Sequence, residues 1–275
     1  VHRTLEPGEY LIYKRNFVIP KGFNKGRVFI NFGAVDQIAT VFINGNNVAT
    51  HKGGYTSFKF EITDYVTDGE NEIKVSCLDF SDVNAFSRGK QKTKRGGIWY
   101  TCQSGIWQSV WLESTPKKYL EKVKITPNYD ESSVSFKYFG CDDVEVSIYD
   151  GDSLIAKTKD TTVSIPDFKS WSPESPFLYD VVFSACGEEI KSYFGMRKFS
   201  VGNDEKGVKR LFLNNKPYFH NGVLDQGYYP DGLLTPPAND AMKFDVEYVK
   251  SAGFNMIRKH IKVEPLFWYH YCDVN

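Results

Sequence analysis

Gly96-Gly97-Ile98-Trp99-Tyr100-Thr101-Cys102-Gln103-Ser104-Gly105-Ile106-Trp107-Gln108-Ser109-Val110-Trp111-Leu112-Glu113 is the stretch whose reading decides the fold. Three of the five tryptophans of the chain fall within thirteen residues of it. From Gln108 the residues alternate, and Gln108 to Glu113 reads as a short strand with aromatic and β-branched content. The glycines ahead of it permit sharp turns and close backbone approach. Read by composition alone, the stretch is a tryptophan-rich corner where two β-sheets meet, because aromatics mostly serve packing through the area they bury. Trp107 and Trp111 are both expected to be buried there.

Working outward, residues 1–115 read as many short strands. Leu11 to Ile19 stops at Pro20, and Arg27 to Phe32 stops at Gly33. Ile38 to Ile43 runs into Asn44-Gly45, a hairpin signal because both central positions of a type I′ turn need positive φ. Glu72 to Leu78 alternates cleanly. Strands at this spacing, without long helical patterns, indicate a sandwich or jelly roll. Residues 116–200 form a second all-β unit, with alternation at Val123–Ile125, Val134–Phe136, Val144–Ile148 and Val181–Phe183, and a hairpin at Asp150-Gly151. After about residue 208 the pattern changes to strand (Tyr218 to Val223), helix (Asp240 to Ala252), strand (Phe254 to Arg258) and helix (Glu264 to Tyr271). In the first helix Ala241, Phe244, Tyr248 and Val249 fall on one face, Asp240 is placed to cap the start, and Gly253 ends it. Such alternation opens an α/β barrel.

The order of residues says more than their periodicity. Ser104 to Glu113 resembles the signature of the family 2 glycoside hydrolases, which include β-galactosidases, β-glucuronidases and β-mannosidases. Phe32-Gly33-Ala34-Val35-Asp36, Val41 to Gly45, His51 to Phe58 and Ile62 to Tyr65 resemble the N-terminal jelly roll of that family. Trp171-Ser172-Pro173-Glu174-Ser175-Pro176-Phe177-Leu178-Tyr179 and Tyr193-Phe194-Gly195-Met196-Arg197 resemble its immunoglobulin-like domain. Gly253 to Arg258, with Trp268-Tyr269 and Cys272-Asp273, resembles the start of its TIM barrel. The resemblance implies a mainly β chain: a jelly-roll sandwich over 1–115, an immunoglobulin-like β-sandwich over 116–200, and over 208–275 the first βα units of a truncated TIM barrel. It implies the N-terminal part of a retaining enzyme acting on O-glycosidic bonds of β-linked sugars. The alternative is a non-catalytic carbohydrate-binding or interaction module.

A retaining glycosidase needs two carboxylates about 5–5.5 Å apart, one to protonate the leaving oxygen and one to attack the anomeric carbon. In the family both are glutamates, the acid following an Asn. A TIM barrel takes about 250 residues, and residues 208–275 hold two of its eight βα units and no Asn-Glu pair. No catalytic residue is therefore assigned in this chain; the pair is expected beyond Asn275, and the chain alone is expected to be inactive. Glu247 is expected on a solvated helix face, and Glu264 is the one carboxylate after the second strand to watch. What remains is a substrate rim at the carboxyl ends of the barrel strands: Asp225, Gln226 and Tyr228 after the first strand, with Tyr229 beside them, and Arg258, His260 and Lys262, with Lys259 among them, after the second. Aligned without a gap on Trp268-Tyr269, Ile261 stands where many members have a histidine and His260 one place earlier.

Composition sets outer bounds. Lys+Arg and Asp+Glu are both 34, so the net charge is zero and no global attraction for nucleic acid or anionic membrane exists. Arg88, Lys90, Lys92, Lys94 and Arg95 place five cations in eight residues of a loop over 81–97, read either as solvated or as leaning over a sugar site toward an anionic substituent. The five cysteines have long spacings and no Cys-x-x-Cys, so they read as free, mostly buried thiols, which favours a reducing compartment. With no signal-peptide pattern at Val1 to Leu5, although an initiator Met is absent too, the expectation is cytoplasmic. No cofactor or metal is expected; the five histidines show no paired ligand spacing. The expected partner is a β-glycoside, without nucleic acid or membrane, and a homo-oligomer stays open.

Overall fold

The computed structural model describes residues 5–275. It is mainly β, and among the described residues no helix is long and apolar enough to cross a membrane. The chain divides into two compact units. The first comprises Val1–Lys117, Leu224–Lys243 and Arg258–Trp268; the second comprises Lys118–Val223, Phe244–Ile257 and Tyr269–Asn275.

In the first unit the strands are β1 (Glu9–Ile19), β2 (Arg27–Phe32), β3 (Val35–Asp36), β4 (Ile38–Ile43), β5 (Asn46–Lys52), β6 (Phe58–Glu61), β7 (Gly69–Asp79), β8 (Gln91–Lys92), β9 (Tyr100–Thr101), β10 (Gly105–Ile106) and β11 (Val110–Thr115). Two antiparallel sheets, in the orders β1-β7-β4-β5 and β11-β2-β6, bury Val28, Phe32, Val41, Ile43, Ile62 and Val75 in one core. In β4 buried and half-buried residues alternate, as the sequence pattern requires of a strand with one face on a core. The turn from β4 to β5 has positive φ at both Asn44 (50°) and Gly45 (82°).

The signature splits in an unexpected way. Trp107 is buried at 2% exposure, and its indole Nε1 donates to the carbonyl of Gly54 at 2.8 Å. Trp111 is 42% exposed, against expectation. The strand starts at Val110, not Gln108, and pairs only with β2, so it is the edge of its sheet. Trp111 flanks an apolar cavity of about 610 Å³ whose walls include Tyr13, Phe17, Ile106 and Leu112.

In the second unit the strands are β12 (Lys122–Asn128), β13 (Ser133–Phe139), β14 (Val144–Asp150), β15 (Ser153–Thr158), β16 (Thr162–Ser164), β17 (Tyr179–Ala185) and β18 (Glu188–Phe194). Sheets β12-β13-β16 and β15-β14-β17-β18 enclose a core of Val134, Phe136, Val146, Ile148, Val181, Phe183 and Met196. Phe136 meets Phe183 edge-on at 5.5 Å, a geometry that the ring quadrupoles favour. Gly195 lies against Trp171; a Cβ there would be 3.1 Å from the tryptophan Cβ.

The cysteines need a correction. Cys141 and Cys186, 45 residues apart, form a disulfide, while Cys77 and Cys102 are buried free thiols and Cys272 is a half-buried one. The register Val144↔Ala185 brings the two partners together just outside β14 and β17, and nothing in their spacing announces it. The argument for a reducing compartment loses that support.

The strands β19 (Phe199–Asn203), β20 (Lys209–Leu213) and β21 (Lys216–Pro217) make a small antiparallel sheet. Then follow β22 (Gly222–Asp225), α1 (Asn239–Ser251), β23 (Met256–Lys259) and α2 (Leu266–Val274). The Asn255 amide donates to the Asn221 carbonyl and the His260 amide to that of Asp225, so β22 and β23 run in the same direction. The predicted strand Tyr218 to Val223 is displaced: the chain turns at 218–221, where the Asn221 amide reaches the Phe219 carbonyl, and Phe219 is 83% exposed. The helix face is also corrected. Met242 and Val246, four apart, are buried, whereas Phe244 and Tyr248 stack on each other in solvent. Asp240 lies inside the first turn, where its charge suits the helix dipole, and is not the residue before the helix.

Candidate functional site

All six predicted rim residues lie in the first unit. In β23 the alternation of side chains turns Arg258 outward, exposed, and Lys259 inward. The Lys259 ammonium sits 2.5 Å from Asp225 Oδ2, at the end of β22, and 2.6 Å from Glu264 Oε1. Glu264 is shared, because Lys262 reaches its Oε2 at 3.0 Å. Lys262 also donates to the carbonyls of Gly227 (2.6 Å) and Leu234 (2.8 Å), which accounts for three donors. Two lysines and two carboxylates thus form a neutral cluster, with the side chains of Lys262 and Glu264 at 1% and 0% exposure. Burial pushes the Lys262 ammonium below its ordinary pKa, and Glu264 opposes the shift. Gly227, at φ 61°, crosses directly over the cluster, where a Cβ would fall on Glu264 Oε1. Such a cluster is costly to break at one member, since the survivor is a buried unpaired charge.

The loop over residues 226–235 is held from the sandwich side. Tyr228 stacks on Tyr100 with centroids 4.0 Å apart. Gln103 Oε1 accepts from the Leu234 amide at 2.7 Å, and its Nε2 donates to Thr235 Oγ1 at 3.3 Å. Thr235 in turn donates to the Trp107 carbonyl at 2.8 Å. The Lys262 ammonium lies 5.5 Å over the Trp107 ring and 5.7 Å over Tyr229. Leu234, Ala34 and Trp107 are buried together with Tyr55 and Tyr228 packed on them. The signature tryptophan therefore packs with this loop, in a cluster of its own beside the sandwich core.

Below the loop is a second polar layer. Gln91, 2% exposed, accepts from the Gln103 amide at 2.6 Å and donates to the Arg88 carbonyl at 3.0 Å and to Asp36 Oδ2 at 3.4 Å. Burial, and then the nearby Asp79 carboxylate, hold the Asp36 carboxyl up to about 7, with the bond from Gln91 opposing. Asp79 is itself bonded by the Ser81 amide and the Ser104 hydroxyl.

The six predicted residues thus fall into different environments. Asp225 and Lys262 join the ion cluster, together with Lys259 and Glu264. Tyr228 and Gln226 lie on the loop, each with one buried oxygen, the hydroxyl and Oε1, that has no hydrogen-bond partner within the protein. Arg258 and His260 stand at the end of β23. Partial desolvation, then Lys90 and Arg258, hold the His260 imidazole below its ordinary pKa, hence neutral at neutral pH. Sequence reasoning placed Lys259 on the rim without giving it a role of its own, and it did not carry Gln103, Tyr100 or Gln91 as site residues. For Lys259 the signal was present, because alternation sets it opposite to Arg258; for the other three the partners are far away in the chain.

Residues 3–116 match the family described as glycosyl hydrolases family 2, sugar binding domain. A β-galactosidase of Streptococcus thermophilus is 24% identical over 95% of this chain, which spans 26% of that relative's length. The β-glucuronidase of Faecalibacterium prausnitzii superposes with a TM-score of 0.80 at 24% identity, covering 98% of this chain and 49% of that one. The β-glucuronidase of Ruminococcus gnavus in complex with a C6-substituted uronic isofagomine gives 0.83 at 19% identity, again over 98% and 49%.

Proposed function

Since this chain carries the N-terminal portion of the family 2 glycoside hydrolases, we propose that it is the front part of a retaining β-glycosidase. Its units are read as a jelly roll over 1–115, an immunoglobulin-like sandwich over 116–200 and the opening of a TIM barrel over 208–275. The observation that carries the reading is the parallel β22-α1-β23 segment, with its rim at the strand ends, following two β-sandwiches. Exposed apolar side chains support it: Leu224 of β22 is 51% exposed although barrel strands are normally covered on both faces, and Phe219, Phe244 and Leu266 around it are 83%, 63% and 83% exposed.

In this reading the two glutamates of the reaction lie beyond Asn275, and the residues of this chain bind and orient. Asp225, Gln226, Tyr228, Arg258 and His260 face the sugar. Lys262, whose donors are occupied, acts by holding the loop over 226–235 in place. Incubation with aryl β-galactoside, β-glucuronide and β-mannoside tests the reading. The 275-residue chain is expected to show no turnover, and a version extended through a complete barrel is expected to hydrolyse at least one with retention. Sustained hydrolysis by a chain of verified 275-residue mass, or none by the extended protein, would overturn it. The second reading, a carbohydrate-binding module without catalysis, is favoured by the description of the matched domain as sugar binding, and the extended protein separates the two.

A further inference from the structure

The cationic side chains of the basic loop between β7 and β9 make no hydrogen bond or ion pair with the rim residues described above. Its five cations have few partners. Arg88 donates to the Asn84 carbonyl at 2.7 Å, Arg95 donates to Thr101 Oγ1 at 2.9 Å, and Lys92 lies 4.4 Å over the Trp99 ring. Among the described residues none of the five forms a salt bridge; Arg88 alone lies in the field of a carboxylate, that of Asp82. At the tip Lys94 and Arg95 are exposed, Ile98 is 63% exposed and Trp99 39%. An indole and several cations thus lie side by side in solvent.

The loop is nonetheless fixed in place. Gln91 anchors it from inside, the Tyr100 amide donates to the Lys90 carbonyl at 2.8 Å, and Thr93 donates to Asp82 at 2.8 Å. It is also fixed beside the rim. Gly89, at φ 63°, leaves no room for a side chain: a Cβ there would be 3.1 Å from both the Ile261 carbonyl and the Tyr55 hydroxyl. The next residue, Lys90, is near enough to His260 to act on its imidazole. The loop therefore starts at the strand ends and leads away from them as a strip of cations toward an exposed indole.

We propose that residues 88–99 are a second binding surface that takes an anionic sugar residue, bearing carboxylate or sulfate, of a glycan longer than the one unit held at the rim. The ammonium groups pair with the anionic substituent, and the indole offers its apolar face to a pyranose ring. The proposal rests on the reading of the rim as a sugar site, which fixes where the glycan continues.

Calorimetric titration of the 275-residue chain tests it with four probes: an oligogalacturonate, a sulfated oligogalactan, a neutral cello-oligosaccharide of the same length and a short oligothymidylate. The first or second is expected to bind, which tells carboxylate from sulfate, with affinity falling as salt rises. The neutral probe is expected to be at least about tenfold weaker, one decade of Kd. The triple variant K90Q/K92Q/K94Q and, separately, Trp99→Ala are expected to lose about tenfold or more while melting as the parent does. Absence of binding by both acidic probes, equal binding of the neutral one, unchanged binding by both variants, or oligothymidylate binding as tightly as the acidic glycans would each overturn the proposal. Hydrolysis of simple aryl glycosides by the extended protein reports on the rim alone, so failure of the rim reading and failure of this one give different results.

Discussion

The guanidinium of Arg197 and the carboxylate of Asp273 meet at 2.7 Å, 76 residues apart in the chain. Asp273 Oδ2 also accepts the Tyr193 hydroxyl at 3.1 Å, and its backbone carbonyl accepts the Trp171 indole at 2.7 Å. Arg197 in turn lies 4.4 Å over the Trp171 ring. Three short motifs of the sequence, around Trp171, Tyr193 to Arg197 and Cys272-Asp273, are thus one constellation. Asp273→Ala removes two charge-assisted bonds and leaves Arg197 half-buried without its partner. A loss of about 1.5–3 kcal/mol is expected, read from urea unfolding of the chain. Asp273→Asn, which keeps one acceptor, should cost less, and equal losses in the two variants would contradict the charge pairing.

The two signature tryptophans should differ in energy as they do in burial. Trp107→Ala empties a closed site and strands the Gly54 carbonyl, so about 3–5 kcal/mol is expected. Trp111 sits on an edge strand, and its Nε1 donates to Glu113 at 3.0 Å; Trp111→Ala should cost less than half as much. Parallel thermal melts decide, and similar losses for the two would contradict the exposure of Trp111.

Asp36 makes stability depend on pH in the neutral range. Its folded-state pKa is raised from 3.8 to about 7. The native state therefore binds the proton more tightly than the unfolded chain, and the stabilisation is fully present below the unfolded value and lost as pH rises through about 7. The decline should not exceed about 1.4 kcal/mol per pH unit. Unfolding free energy measured from pH 5 to pH 8 should fall for the parent and be flatter in Asp36→Asn. A rise with pH in the parent, or an unchanged slope in the variant, would place the titration elsewhere.

Gln103 fastens the loop over residues 226–235 through the Leu234 amide and Thr235. Gln103→Ala should accelerate hydrogen exchange at the Leu234 amide by about tenfold or more, the equivalent of one weak hydrogen bond. Exchange in β4 and β7 should not change. Uniform acceleration throughout the chain would signal global destabilisation in place of a freed loop.

Local periodicity and residue order were enough for most elements. The alternation in β4 and the Asn44-Gly45 turn appear where the residues put them, since strand period and positive φ are properties of a few adjacent residues. The order of residues around Trp107 was enough for the family of the N-terminal domain. Tertiary structure alone decided what depends on register and on neighbouring chain segments. The Cys141–Cys186 bridge follows from β14 pairing with β17, and Trp111 is exposed because β11 has a neighbour on one side only. Met242 and Val246 took the buried face of α1 over Phe244 and Tyr248, although an amphipathic pattern allows either stripe. At the rim the sequence displayed the charges after β23, but their pairing across 34 residues, Lys259 with Asp225, is made by two parallel strands ending side by side. An ion pair needs two positions in space, and a linear sequence specifies only one at a time.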